Sequence, residues 1–196
     1  MQAFEALWLA ARDTWEELFL VLLLGPLGAL LSLLILPVPF VLAAHYGIAE
    51  RISDERAVGW REWFQLGREH AAFFYKWAGV VLLVTLVLLA NLRFYSRFEP
   101  PWSLVAQGMI GMLLFLWLLF QPLVPALYFQ QRDRRLRITF RNAVVIALAH
   151  LPSLLLLWVA VLLIVLLLLL FAWPLMPLLS PTLVFIMTRF VHLHIT

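Results

Sequence analysis

The chain has no cysteine and few charged residues, since only 13% of its 196 residues are Asp, Glu, Lys or Arg. The absence of cysteine excludes a disulfide framework, a thiolate metal site and a cysteine nucleophile. A soluble domain is about 45–50% apolar, whereas this chain is 65% hydrophobic with a mean hydropathy of +0.99. Intrinsic disorder is excluded as well, because it requires low hydrophobicity. The composition predicts a protein embedded in a membrane.

Signatures of soluble enzymes are also missing from the sequence. There is no Gly-rich phosphate loop ending in Gly-Lys-Ser/Thr, no G-x-S-x-G elbow and no H-E-x-x-H helix. The longest segment outside the apolar stretches, about residues 50–76, is too short for a catalytic domain with its own core. No carboxylate lies within an apolar stretch to form an intramembrane acid–base pair. We therefore expect no enzymatic activity, no cofactor and no bound metal.

Long apolar stretches divide the chain into five predicted membrane-spanning helices. About 20 apolar residues are needed to cross the hydrocarbon core of a bilayer. Pro37 and Pro39 predict a kink or break within the first stretch, and Pro174 and Pro177 mark the turn that divides the last one. The predicted spans are residues 18–47, 76–94, 102–130, 142–171 and 174–191. The predicted fold class is an all-α integral membrane helical bundle, with residues 1–196 forming a single transmembrane domain.

Two further segments have the periodicity of amphipathic helices at a membrane surface. The first lies before the first span, where aromatic and apolar residues recur at helical spacing from Phe4 to Phe19. The second covers residues 57–77, with an aromatic stripe on one side and arginines on the other. It is either an interfacial anchor or a docking surface for a cytoplasmic partner. The candidate partner-surface residues are Trp60, Arg61, Trp63, Phe64 and Arg68.

Positive charge is distributed unequally between the two sides of the predicted bundle. The segments between spans one and two and between spans three and four, together with Arg189, carry eleven of the fourteen Lys and Arg residues. The other side carries Arg12, Arg93 and Arg97. By the positive-inside rule the arginine-rich side is cytoplasmic, which predicts an N-terminus outside and a C-terminus in the cytoplasm. The arginine cluster at 132–141 adjoins a span, so we expect the lipid bilayer, and no nucleic acid, as its partner.

Polar residues within the predicted spans leave two interpretations open. Asn91, Gln121 and His150 lie on the second, third and fourth spans, and Gln121 directly precedes Pro122. A proline inside a span frees a backbone carbonyl and produces a kink that can line a cavity. The three polar residues either form interhelical hydrogen bonds or line a path for a solute.

A spaced set of prolines, aromatic residues and arginines extends over residues 37–95. It comprises Pro37, Pro39, Tyr46, Arg51, Val58, Trp60, Phe64 and Arg68, followed by Trp77, Asn91, Phe94 and Tyr95. In this pattern, and in its length and number of spans, the chain resembles the YesL-like family of small bacterial membrane proteins of unknown function. Members of that family often accompany sugar ABC importers and glycan-degrading enzymes. The resemblance implies a bacterial plasma-membrane location, and it supplies no catalytic residues.

Two functions are compatible with these observations. The first is a non-enzymatic accessory or regulatory component of carbohydrate uptake, with subunits of a sugar ABC importer as partners. The second is a stand-alone small-solute transporter or channel, working as a homo-oligomer, with Asn91, Gln121 and His150 along its path.

Overall fold

The computed structural model describes residues 2–54, 56 and 58–195, and nearly all of these are helical. Within those residues there is no strand, so the predicted all-α fold is confirmed. The helices in chain order are α1 (Gln2–Glu16), α2 (Leu18–Ser32), α3 (Val38–Ser53), α4 (Trp60–Tyr95), α5 (Pro101–Phe120), α6 (Leu123–Gln130), α7 (Leu136–Ala149), α8 (Leu151–Phe171), the 3₁₀ helix η1 (Trp173–Leu178) and α9 (Leu179–Ile195).

Four helical segments of the described chain are long and apolar enough to cross a membrane. They are α4, the α5–α6 segment, α8 and the segment Pro174–His194, which joins most of η1 to α9. Helices α1 and α2 meet the same requirement only as a pair, and the pair is bent by 93°. The architecture is therefore a multi-pass helical bundle with four spans, or five if the bent pair crosses the membrane.

Helix α4 combines two elements that the sequence separated, the surface helix at 57–77 and the second span at 76–94. It is one helix of 36 residues, about 54 Å long at 1.5 Å per residue. No proline interrupts it, so its hydrogen-bond ladder continues from the charged half (residues 60–76) into the apolar half (residues 77–95). Its length exceeds the 30 Å hydrocarbon core of a bilayer, which leaves the charged half outside that core. Ala57, where the surface helix was predicted to begin, lies outside the described residues.

The predicted first span, residues 18–47, is a hairpin of two helices instead of one continuous helix. Helix α2 ends at Ser32 and α3 begins at Val38, so the break expected near Pro37 and Pro39 is present. Within the turn, Ile35 has a φ of 61°, in the left-handed region that β-branched residues rarely adopt. Because α2 and α3 fold back on each other, residues 18–47 do not form the single continuous helix that the sequence predicted.

Helix α3 packs along the charged half of α4, its most extensive partner. At one end the Arg51 guanidinium donates to the Glu62 carboxylate at 2.9 Å, and at the other the Tyr75 hydroxyl donates to the Leu36 carbonyl at 2.8 Å. Gly67 permits this close approach, because a Cβ there would lie 2.6 Å from the Phe40 ring. The turn of the α2–α3 hairpin is thereby held at the level of Tyr75, where the charged half of α4 ends.

The predicted span at 142–171 is also divided, into α7 and α8. The two helices meet at His150, whose φ of −119° and ψ of 29° are not helical. Pro152, in the first turn of α8, lacks the N–H that would continue the α7 hydrogen bonds. Of the two, α8 alone is long and apolar enough to cross a membrane, and the turn predicted around Pro174 and Pro177 is the 3₁₀ helix η1.

Helix α1 is the predicted N-terminal amphipathic helix, and it packs against α9. Its buried face carries Asp13 and three small residues, Ala3, Ala6 and Ala10, which allow the two helices to approach closely. The aromatic side chains of Phe4, Trp8 and Trp15, which the sequence assigned to the membrane surface, are exposed. Large side chains on the apolar half of α4, on α5 and on α8 are exposed as well. These surfaces are suited to contact with lipid.

Candidate functional site

The five candidate partner-surface residues lie on two different faces of α4. The Trp63 side chain is fully buried, with its ring centroid 5.7 Å from those of both Phe40 and His45. Its inclusion in a partner surface was wrong, because α3 covers that face of α4. The remaining four residues, Trp60, Arg61, Phe64 and Arg68, are exposed.

The four exposed residues, together with Gln65 and Glu69, form what we call the charged face of α4. All of them except Trp60 surround an open groove of about 570 Å³. The Arg61 guanidinium lies 5.4 Å from the centroid of the Trp60 ring, and the Gln65 side-chain amide donates to Glu69 at 2.7 Å. The surface therefore combines guanidinium groups, a carboxylate and aromatic rings without an internal ion pair between Arg61 or Arg68 and Glu69.

The three residues of the predicted solute path are not brought together. Asn91 is exposed near the far end of α4, and its side-chain amide donates to the Val87 carbonyl at 2.8 Å. Gln121 is bonded to Trp77, which lies about 21 Å from Asn91 along the helix axis. His150 lies between α7 and α8, where its ring centroid is 4.1 Å from that of His194. Of the three residues, Gln121 borders a cavity.

That cavity is a cleft of about 420 Å³, which we call the Gln121 cleft. Residues of α3, α4, α8, η1 and α9 surround it, together with Gln121 and Pro122 at the break between α5 and α6. Trp77 donates its indole N–H to the Gln121 side-chain oxygen at 3.2 Å, and the Gln121 amide donates to the Trp117 carbonyl at 3.0 Å. The end of α5 leaves carbonyls without helical partners, and the Gln121 amide bonds one of them.

The other polar groups on aromatic side chains of the cleft are bonded in the same way. The Tyr46 hydroxyl donates to the Pro122 carbonyl at 3.0 Å, and the Trp158 indole N–H donates to the Leu119 carbonyl at 3.0 Å. Both acceptors belong to the break between α5 and α6. Ser180, also on the cleft wall, has its hydroxyl 3.4 Å from Nδ1 of His45. The polar atoms of the cleft thus hold the helices together.

A buried ion pair connects the two ends of the chain. Arg189 on α9 donates to both carboxylate oxygens of Asp13 on α1, at 2.5 and 2.9 Å, and the two side chains are 10% and 2% exposed. Such a two-point, charge-assisted contact is among the stronger hydrogen-bonded arrangements. It puts Asp13 and Arg189 at one place in the bundle, although the distribution of charge in the sequence assigned Arg12 and Arg189 to opposite sides. Their separation of 176 positions left no local signal in the sequence.

Glu50, near the end of α3, lies close to the same part of α9. The Gln130 side-chain amide donates to Glu50 at 3.4 Å and to the Thr188 carbonyl at 3.1 Å. Burial, reinforced by the negative charge of Asp54, raises the pKa of Glu50 to about 7. Thr188 adjoins Arg189 in the sequence. The chain therefore lies beside this part of α9 at Asp13, just before the α2–α3 hairpin, and again at Glu50, near the end of that hairpin. The α2–α3 hairpin therefore begins and ends on one side of the bundle.

The described residues offer no evident metal site. Within residues 2–54, 56 and 58–195, no three His, Asp or Glu side chains are grouped so that they could hold a metal ion.

The resemblance to the YesL-like family remains a prediction. The chain matches no family model, no curated protein and no solved structure.

Proposed function

We propose that this protein is a non-enzymatic accessory or regulatory component of carbohydrate uptake by an ABC-type importer, the role implied by its resemblance to the YesL-like family. The observation that carries the proposal is the charged face of α4. Arg61, Phe64 and Arg68 are exposed there, on a helix held rigidly by α3 through Trp63. Arginine and aromatic residues dominate the energetics of protein interfaces. A rigid surface of this composition outside the hydrocarbon core is suited to contact a cytoplasmic subunit.

The membrane-facing surfaces are compatible with the same role. Leu82, Leu86, Met109 and Leu113 are among the exposed side chains on α4 and α5, and Leu163 is one on α8. In a bilayer these side chains contact lipid, the membrane subunits of an importer or a second copy of the chain. The charged face provides the specificity, because electrostatic complementarity at an interface controls encounter and partner choice.

Reversal of the charges on this face tests the proposal. We expect the double variant Arg61→Glu/Arg68→Glu to insert and fold normally, because both side chains are exposed. Its recovery with subunits of a sugar ABC importer, measured by affinity purification from mild detergent, is expected to fall about tenfold, which corresponds to about 1.4 kcal/mol. The matched control is Arg93→Glu/Arg97→Glu, which reverses two exposed arginines at the other end of the α4–α5 hairpin.

Recovery of the importer that Arg61→Glu/Arg68→Glu leaves unchanged would contradict the proposal, as would the absence of an importer subunit from the unmodified complex. A similar loss for both variants would point to a general effect of charge.

A stand-alone transporter or channel is the second candidate function, and the Gln121 cleft is the observation that favours it. The cleft lies among the candidate spans, as a solute site would. Uptake of a sugar into vesicles that contain the purified protein alone, and its loss in Gln121→Leu, would favour this candidate over an accessory role.

For the location, we propose the bacterial plasma membrane, with the arginine-rich segments 51–76 and 132–141 in the cytoplasm. The contact between Asp13 and Arg189 and the return of the chain to α9 at Glu50 support a revised topology. In it, the α2–α3 hairpin does not cross the membrane and four spans do, so Asp13 and Arg189 lie on the same, cytoplasmic side.

A further inference from the structure

We infer that the Gln121 cleft binds one hydrocarbon chain of a membrane lipid. This inference goes beyond the proposed accessory function and does not depend on it. The volume of the Gln121 cleft, about 420 Å³, is within the range of about 300–1,000 Å³ that is usual for small-molecule sites.

The chemistry of the cleft walls favours a hydrocarbon over a hydrophilic solute. The donors that Tyr46, Trp77 and Trp158 contribute are all bonded to acceptors of the protein itself. The Gln121 side chain already donates one N–H to Trp117 and accepts from Trp77, and the Ser180 hydroxyl faces His45. A sugar in the cleft would therefore replace few of the hydrogen bonds to water that it loses, which is costly for each unpaired hydroxyl group. A hydrocarbon chain has no such groups to lose.

The remaining walls are apolar and adaptable. Leu42, Leu179 and Leu183 contribute branched aliphatic side chains, and Met176 and Met187 contribute flexible thioethers. Methionine fills irregular spaces and is used where a surface must fit a mobile apolar ligand. These residues come from α3, η1 and α9, so the site forms only when the hairpin and the last helix are packed together.

The position of the cleft relative to the membrane favours a lipid as the source of the hydrocarbon chain. Trp77 is the first residue of the apolar half of α4 and follows the exposed Lys76. Tryptophan is enriched at the boundary between headgroups and hydrocarbon. The cleft therefore lies near that boundary, where the acyl chains of surrounding lipids are available, and it is partly open. The bilayer, and not water, is the medium from which it is filled.

Photocrosslinking tests this inference on the full-length protein. The probe is phosphatidylglycerol with a diazirine in one acyl chain, incorporated into vesicles with the protein at about one per hundred lipids. After an excess of unlabelled lipid is added, we expect labelling to persist on the peptide containing Leu183 and Met187 and to fall at Leu163, an exposed position on α8. Filling the cleft by Leu183→Trp is expected to reduce the persistent labelling at least fivefold, whereas Leu163→Trp leaves it unchanged.

Several results would overturn the inference. One is labelling of the cleft peptide that is displaced as readily as labelling at Leu163. Another is persistent labelling that Leu183→Trp does not change, provided that this variant elutes as the unmodified protein does. If Leu183→Trp elutes differently, the smaller substitution Leu179→Phe fills the cleft instead, and unchanged labelling in that variant overturns the inference. Saturable binding of a radiolabelled sugar that is abolished by Leu183→Trp would also assign the cleft to a hydrophilic solute. Failure of the importer co-purification affects none of these outcomes.

Discussion

Replacement of Arg189 by methionine is expected to lower the free energy of unfolding by about 3–5 kcal/mol. The Asp13 carboxylate would stay in a place where it is 2% exposed, without the guanidinium that now bonds both of its oxygens. An unpaired buried charge is one of the few single changes with an effect of this size. Thermal unfolding in detergent, followed by loss of the monodisperse chromatographic peak, measures the change.

Two further variants distinguish loss of the ion pair between Asp13 and Arg189 from nonspecific destabilisation. Arg12→Met removes a half-exposed arginine 3.8 Å from the same carboxylate, and we expect it to cost less than about 1 kcal/mol. The double variant Asp13→Leu/Arg189→Met replaces both charges by apolar groups and is expected to recover most of the stability lost in Arg189→Met. A double variant less stable than Arg189→Met would show that the pair does not act as a unit.

Two glycine-to-alanine substitutions are expected to change stability in opposite directions. At Gly28 on α2, the new Cβ would lie 2.8 Å from the His45 ring and 3.0 Å from Val41, both buried on α3. Overpacking of this kind costs about 1–3 kcal/mol. At Gly108 on α5 no atom lies within 4 Å of the new Cβ, and alanine is expected to stabilise the helix by about 0.5–1 kcal/mol.

The comparison of these two variants tests the α2–α3 hairpin, because the chemical change is the same at both positions. The unfolding temperature in detergent is expected to fall for Gly28→Ala and to stay or rise for Gly108→Ala. Equal effects of the two substitutions would mean that α2 does not pack on α3 as described.

The sequence predicted the class of fold from properties that act locally. Apolar stretches of membrane-spanning length need helical backbone, because a bilayer offers no other hydrogen-bond partner. Prolines marked real breaks, before α3, between α5 and α6, and within η1. Hydropathy did not show that residues 60–95 form one helix, because it changes at Trp77 while the backbone continues.

The parts of the structure that the sequence did not predict depend on contacts between distant segments. Trp63 has the same spacing as the exposed aromatic residues of α4, and only the packing of α3 distinguishes it. The pairing of Asp13 with Arg189 has no local signal either. For Gln121, the adjacent Pro122 did provide a signal, since the break it makes is bordered by the cleft.

The proposed topology, in which Asp13 and Arg189 lie on one side of the membrane, is tested most directly by single cysteines. The chain has no native cysteine, so each introduced thiol reports without background. Glu5, Glu99 and Arg137 are exposed positions on α1, between α4 and α5, and on α7. With a membrane-impermeant maleimide on spheroplasts, we expect Glu99→Cys to be labelled in intact cells and Glu5→Cys and Arg137→Cys only after permeabilisation. Labelling of Glu5→Cys in intact spheroplasts, with Arg137→Cys still protected, would contradict the four-span topology and place a fifth span before α4.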